Sequence, residues 1–242
     1  MRSQSYDLVI TDQEPITAWY AKKNNVESIG IGNVYSLETC TLKRLWVNKM
    51  LTKLFQKCYC PVTNKIILDF TKKKSTNFYP VINSELKKLR IKTHEFTLVY
   101  VLSYSLEELI NIFSSPILCD NKFVIYTKEV QAPVVYKNIV AKPISKTSFT
   151  KDISNCKNII TTAGFQTIAE AVYLHKDILL IPIKGQPEQK ANALMLREYN
   201  IQFIKKLKAN HIKNWIEFHP SNSIIIKDET NRLVKSILAY IQ

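Results

Sequence analysis

From residue 96 onward this chain repeats one pattern: a short apolar run, a polar loop, then a stretch with helical spacing. The apolar runs are FTLVYVL (96–102), KFVIY (122–126), NIVA (138–141), NIIT (158–161) and ILLIPI (178–183). They are too short for buried helices, rich in β-branched residues and apolar at consecutive positions, which marks strands covered on both faces. Helical spacing fills the gaps at 106–113, 149–155, 167–174 and 188–199. Strands separated by helices pair in parallel, because the crossover helix carries the chain back to the end of the sheet where the previous strand began. The expected fold class is α/β with parallel sheets, and ligands of such sheets sit outside the carboxyl ends of the strands.

The first ninety residues read as a smaller version of the same design. YDLVIT (6–11) is a strand closed by Asp12, residues 16–23 are a helix, and VESIGIG (26–32) is the next strand. Residues 42–56 form a basic amphipathic helix with Trp46 and Phe55 on its apolar side, 66–70 a short strand, and 72–92 a polar loop and linker. The expected organisation is an incomplete N-terminal unit, 1–92, followed by a complete one, 93–242, which closes on an amphipathic helix at 229–240.

Composition removes several classes. No apolar run approaches the ~20 residues of a membrane-spanning helix, and the first residues lack the pattern of a signal peptide, so a cytoplasmic location is expected. Five cysteines, an odd number, lack metal-ligand spacing with one another or with the four histidines, so reduced and mostly buried thiols are expected, with no metal and no cofactor. A formal charge of +14, from 34 Lys+Arg against 20 Asp+Glu, attracts anions. A nucleic-acid-binding module is the competing class. Against it stand the absence of a zinc-finger or RNA-recognition pattern and the even spread of lysine along the chain.

Two loops carry the chemistry. Thr161, Thr162, Ala163, Gly164, Phe165, Gln166 and Thr167 join the end of a strand to the start of a helix. A helix N-terminus presents unpaired N–H groups and partial positive charge, which suits a phosphate, and Gly164 permits close approach to the backbone. An ordinary turn with one residue at positive φ fits equally well. Glu170, three residues after Thr167, has the spacing of a capping box, while a carboxylate at the crevice edge could instead accept ribose hydroxyls. The second loop, Lys184-Gly185-Gln186-Pro187-Glu188-Gln189, follows the next strand and offers amide and carboxylate groups suited to a sugar. A solvated helix start would look the same.

The run CKNIITTAGFQTIAEAVYLHKDILLIPIKGQPEQKANALML resembles the donor-binding half of nucleotide-sugar glycosyltransferases built from two Rossmann-like domains, the GT-B type. It is most similar to the group that includes the bacterial enzyme adding N-acetylglucosamine to a lipid-linked precursor. The likeness extends more weakly over residues 6–32 and 96–113. The resemblance implies that the turn at Ala163, Gly164 and Phe165 holds the donor diphosphate and that Glu170 takes the ribose hydroxyls. It also implies that Gln186, Glu188 and Gln189 contact the transferred sugar and that Asn192 steadies their loop. Read from the residues themselves and not from the resemblance, Lys184 is a candidate cation for the departing diphosphate and Asp12 or Glu14, at the end of the first strand, a candidate general base, with a helix or turn cap as the other reading of a strand-ending Asp.

The expected partners are a nucleotide-sugar donor, a lipid-linked or glycan acceptor and an anionic membrane face met by the basic helix at 42–56. His175 stands where similar proteins have Gly, and Asp177 where they have Pro. The glycine-rich opening of the family is not found, so an N-terminal third is expected to be missing. A chain that binds the donor without transferring sugar is therefore the alternative within this class.

Overall fold

The computed structural model describes residues 6–36, 54, 56–72, 74–218 and 221–240. The chain forms two compact units: residues 1–81 with 226–242, and residues 82–225. The boundary falls before the expected 92/93 junction. The last segment returns to the first unit instead of closing the second.

In the first unit, β1 (Leu8–Thr11), β2 (Glu27–Gly32) and β3 (Asn64–Ile67) form a parallel sheet in the order β1-β2-β3. Helix α1 (Pro15–Lys23) crosses from β1 to β2 with Ala18 and Ala21 buried. The strand expected at 66–70 starts two residues earlier and stops at Ile67, since Leu68 instead bridges Phe78. The expected linker is therefore partly ordered structure. Ile29, Ile66 and Phe78 form a small core with Leu233 of the C-terminal helix (Thr230–Leu238). Polar contacts reinforce it: Glu229 accepts from Tyr79 N and from Lys72 Nζ, and Arg232 donates to Ser75 O and Asn77 O while its guanidinium lies 4.1 Å from the centre of the Phe78 ring. No sequence periodicity could have announced that return, because it depends on contacts 150 or more positions apart.

The second unit opens with a short helix, α2 (Ser84–Lys88), capped by Asn83. Its elements then run β4 (His94–Tyr100), α3 (Leu106–Phe113), β5 (Phe123–Thr127), β6 (Val134–Tyr136), β7 (Ile139–Pro143), α4 (Lys146–Asn155), β8 (Cys156–Thr161), α5 (Phe165–Tyr173), β9 (Asp177–Leu180), α6 (Pro187–Leu196), β10 (Gln202–Phe203) and α7 (Ala209–Phe218). The helix that ends the chain is α8. The sheet order is β10-β9-β8-β4-β5-β7-β6, parallel except for β6, an antiparallel edge hairpin partner of β7. Val99, Ile125, Ile160 and Leu179 share one face and pack with Leu109 and Phe113 of α3 and Ile212 and Trp215 of α7. Helix α5 contacts β8 and β9 through the other face. The α/β class with a parallel sheet in each unit is as expected from the alternation of runs. The edge strands β6 and β10 were missed, because two- and three-residue strands carry no periodicity, whereas α7 was overlooked although Ile212, Trp215 and Ile216 recur at helical spacing.

Candidate functional site

The order of the second sheet creates the crevice. The chain builds outward from β4 through β5 to β7, then returns to the other side of β4 with β8, β9 and β10. Loops leaving the carboxyl ends of β4 and β8 therefore diverge, which is the position where doubly wound sheets bind ligands. The floor is fixed by Thr161, whose buried hydroxyl donates to Tyr100 O at 3.1 Å.

Above that floor, Gly164 is the N-cap of α5 at φ −72° and ψ 136°. Its glycine is therefore not required by a left-handed backbone. Nor is it required by packing, because a Cβ there would meet only Thr162 Oγ1, at 3.9 Å. No side chain caps this helix. The capping box expected between Thr167 and Glu170 does not form, because the helix starts one turn earlier. Phe165 extends the apolar stripe of Ile168, Ala169 and Val172 back by the i, i+3, i+4, i+7 rule, which places Thr167 inside the first turn. Glu170 is then an interior residue whose side chain leans toward the N-terminus, as helical side chains do, and its Oε1 accepts from Gln166 Nε2 at 2.9 Å. Burial pushes its carboxyl above the ordinary value, opposed by the Gln166 hydrogen bond and by the charge of Lys146.

The second loop is tied to the first. Gln189 Oε1 accepts from both Ala163 N and Ile183 N, at 3.1 Å each, so one side chain of α6 joins the turns after β8 and β9. Fully buried Asn192, one turn on, donates Nδ2 to Ala163 O at 3.1 Å. Ala163, with no exposed surface, is thus held through both its N–H and its C=O. Gln189 Nε2 donates to Gln186 Oε1 at 2.6 Å, which orients Gln186 at the mouth of the loop. Gly185 adopts φ +87°, a conformation open to glycine at no steric cost, and Lys184 beside it is exposed. Glu188 lies in the first turn of α6, beside the N-terminal dipole. Gln189, grouped by sequence with the sugar contacts, has its carbonyl engaged in joining the loops. A single glutamine reaching two strand ends has no signature in sequence.

In the first unit the two carboxylates at the end of β1 behave differently. Glu14 is the N-cap of α1 and accepts from Ile16 N at 3.0 Å and Thr17 N at 2.8 Å. The Thr17 and Ile16 N–H groups hold its carboxyl below the ordinary value. A capping carboxylate with both oxygens occupied and low basicity is a poor proton acceptor, so the pairing of Asp12 with Glu14 as alternative bases narrows to Asp12. Asp12 is exposed and lies over Gly32, where a Cβ would come within 3.4 Å of its Oδ1. Gln13 between them adopts φ 57°, the sparsely populated left-handed region.

His175 also sits at positive φ, 54°, and is exposed. That backbone conformation is one glycine adopts at no steric cost, in keeping with the glycine expected there from the resemblance. Among the described cysteines all are free, with Cys60 and Cys156 buried and Cys58 and Cys119 exposed, so the expectation of mostly buried thiols holds for only half of them. Among the described residues no group of three or more His, Cys, Asp or Glu is placed to hold a metal ion, and no helix is long and apolar enough to cross a membrane. The basic helix expected at 42–56 lies outside the described residues apart from Leu54 and Gln56.

A parallel sheet in each of two units, with a helix N-terminus that no side chain caps at the switch point of the second, is the pattern of the two-Rossmann glycosyltransferase fold, and solved structures share it. CalG4, the calicheamicin glycosyltransferase, matches with a TM-score of 0.58 and 14% identity over 90% of this chain and 66% of its own. Arabidopsis thaliana UGT89C1 complexed with UDP matches with a TM-score of 0.56 and 11% identity, over 90% of this chain and 64% of its own. SsfS6 of Streptomyces sp. SF2575, complexed with thymidine diphosphate, matches with a TM-score of 0.55 and 11% identity, over 88% and 61%. The chain thus spans about two thirds or less of the length of these structures. Comparison of the sequence with curated proteins finds no match. The model of glycosyl transferase family 1 matches residues 1–220, and the chain belongs to that family.

Proposed function

We propose that this chain binds a nucleotide-sugar donor in the crevice of its second unit and transfers a hexose or N-acetylhexosamine to an acceptor hydroxyl. The observation that carries the reading is the joint between the two loops: Gln189 and Asn192 hold the Gly164 turn against the Lys184–Gln189 loop at the carboxyl ends of adjacent strands. In this reading the diphosphate lies over Gly164, against the helix start formed by Phe165, Gln166 and Thr167, with Thr162 and Ala163 beneath it. Negative charge grows on the diphosphate as the glycosidic bond breaks, and fixed N–H dipoles aimed at that charge lower the barrier without reorganising. Lys184 supplies a cation to the same group. Glu170 accepts the ribose hydroxyls, and Gln186 and Glu188 meet the sugar. Asp12 is the candidate base for the acceptor proton.

UDP is the favoured carrier, supported by fold neighbours whose structures hold UDP and thymidine diphosphate, both pyrimidine nucleotides. A lipid-linked or cell-envelope glycan is the favoured acceptor, in keeping with the resemblance to the N-acetylglucosamine transferase of lipid-linked precursors and with a charge of +14 that would favour an anionic membrane face. The test is a calorimetric titration with UDP, UDP-N-acetylglucosamine, GDP-mannose and ADP, repeated with Glu170→Ala and Gly164→Val. Gly164→Val should leave the fold within about 1 kcal/mol of the parent, since the position demands neither positive φ nor a missing Cβ, and should abolish donor binding. Saturable binding of one nucleotide that survives both substitutions would refute the placement. Binding of none would remove the donor reading.

A further inference from the structure

The turn that joins β1 to α1 is braced from both sides. Thr11 Oγ1 donates to Glu14 O at 3.1 Å and accepts from Glu14 N at 3.0 Å, and the Glu14 carboxylate is taken up by Ile16 N and Thr17 N. The two residues inside the turn are Asp12, exposed, and Gln13, half-buried, so both heads are open to solvent. Neither side chain makes a hydrogen bond among the described residues.

Gln13 holds φ 57°, a conformation that glycine adopts freely and that asparagine or aspartate enters more readily than glutamine. The bonds on either side hold the backbone there. Its effect is to lay the long side chain across the carboxyl end of β2. A Cβ placed on Gly32 would stand 3.4 Å from Asp12 Oδ1, 3.6 Å from Gln13 Nε2 and 3.8 Å from Gln13 Cγ. A carboxylate and a carboxamide therefore lie against one glycine, at the end of a parallel sheet where such folds take their ligands. Glycine would close the turn without strain, so the turn by itself gives no reason for glutamine, and the cap of α1 is supplied by Glu14. What glutamine adds is an amide beside Asp12. An amide donates to an oxygen without bringing charge, whereas a lysine in its place would lower the basicity of Asp12.

We propose that Gln13 is an acceptor-binding residue: its Nε2 donates to the oxygen of the acceptor hydroxyl and turns the hydroxyl proton toward Asp12. The proposal rests on the transferase reading with Asp12 as base. In the step it serves, the hydroxyl oxygen forms the bond to the anomeric carbon, and the bond from that carbon to the diphosphate breaks with its electron pair leaving on the diphosphate. The hydroxyl proton passes to the Asp12 carboxylate. A hydroxyl held at two points has given up its rotational freedom before the bond forms, which is what positioning contributes to rate.

The experiment is calorimetry on the full chain, first with the nucleotide selected by the donor titration and then, with that nucleotide saturating, with octyl β-glucoside below its micellar concentration as a soluble acceptor probe. The parent is compared with Gln13→Gly, which relieves the strain, and with Gln13→Glu, which keeps the shape but loses the donor. Both should bind the glycoside about tenfold more weakly, as loss of one well-placed hydrogen bond does, with nucleotide affinity unchanged. Gln13→Gly should melt close to the parent, since relief of strain offsets the freedom that glycine adds to the unfolded chain. Glycoside affinity retained in Gln13→Gly would make Gln13 a turn residue only and overturn the proposal while leaving the donor reading intact. Equal loss of nucleotide and glycoside affinity, or a nucleotide-loaded parent that binds no glycoside, would also overturn it. A parent that binds none of the nucleotides removes the transferase reading and this proposal with it.

Discussion

Replacing Gln189 with Ala tests whether its carbonyl is what joins the two loops. The substitution removes one acceptor from two backbone N–H groups, those of Ala163 and Ile183, each at 3.1 Å. Ala163 has no exposed surface, so its N–H would stay buried without a partner, at a cost of about 1–3 kcal/mol. Ile183 is half-buried, so water would replace the lost acceptor and the cost there is about 0.5–1 kcal/mol. The sum, about 1.5–4 kcal/mol, is a large share of the ~5–15 kcal/mol that stabilises a domain. With a slope of about 2 kcal/mol per molar urea, the midpoint should fall by about 1–2 M. Gln189→Glu retains the acceptor and both bonds, losing only the donor to Gln186, and should stay within about 1 kcal/mol of the parent. Urea unfolding followed by circular dichroism reads both variants. Equal destabilisation by Ala and Glu, or an alanine variant within about 0.5 kcal/mol of the parent, would show that the two-bond joint does not hold the loops.

Glu14 offers a pH test. Its carboxyl is held below the ordinary value by the Thr17 and Ile16 N–H groups, so the stability it contributes is complete above the unfolded carboxylate value and is lost as pH falls through the lowered folded one. The Tm gap between the parent and Glu14→Gln should therefore be largest near neutral pH and close as the pH drops below the ordinary carboxylate range. Glu229→Ala removes the acceptor of Tyr79 N and the partner of Lys72 and Arg232, and should cost the first unit about 1–2 kcal/mol in chemical denaturation. An unchanged midpoint would mean that Glu229 adds nothing to the anchoring of α8 by Leu233 and Arg232. Burial pushes the Cys156 thiol up to about 12 and also raises that of Cys60, so neither should form thiolate in the native chain. Brief alkylation followed by peptide mass spectrometry should label Cys58 and Cys119 ahead of them, and early modification of Cys156 would contradict its burial.

The parts of the fold legible in sequence are those whose cause is local. Short runs rich in β-branched residues in 96–102, 122–126 and 158–161 announced buried parallel strands, and helical spacing at 106–113 announced α3. Gly164 and Gly185 stood out as glycines in loops, although the reason differs: Gly185 needs positive φ, while Gly164 does not. The start of α5 was misplaced by one turn because Thr-x-x-Glu spacing was read without the apolar stripe that begins at Phe165. Asp12 and Glu14 looked interchangeable in sequence, and only backbone geometry separated the cap from the exposed carboxylate.

Periodicity, loop glycines and the helix-start dipole are determined by residues within a turn or two of one another, and the sequence by itself therefore specified the alternating α/β design and pointed to two loops at the carboxyl ends of neighbouring strands. Tertiary structure decided everything that depends on distant residues meeting. It made β4 and β8 neighbours across 61 positions, as in the Thr161 to Tyr100 bond, and so placed the crevice. It gave Gln189 its two partners in separate loops, returned α8 to the first unit through Glu229 and Leu233, and brought the heads of Asp12 and Gln13 against Gly32. Closing such long loops costs chain entropy that only packing of the assembled sheets repays, so these contacts exist in the folded ensemble and have no trace in any local window of sequence.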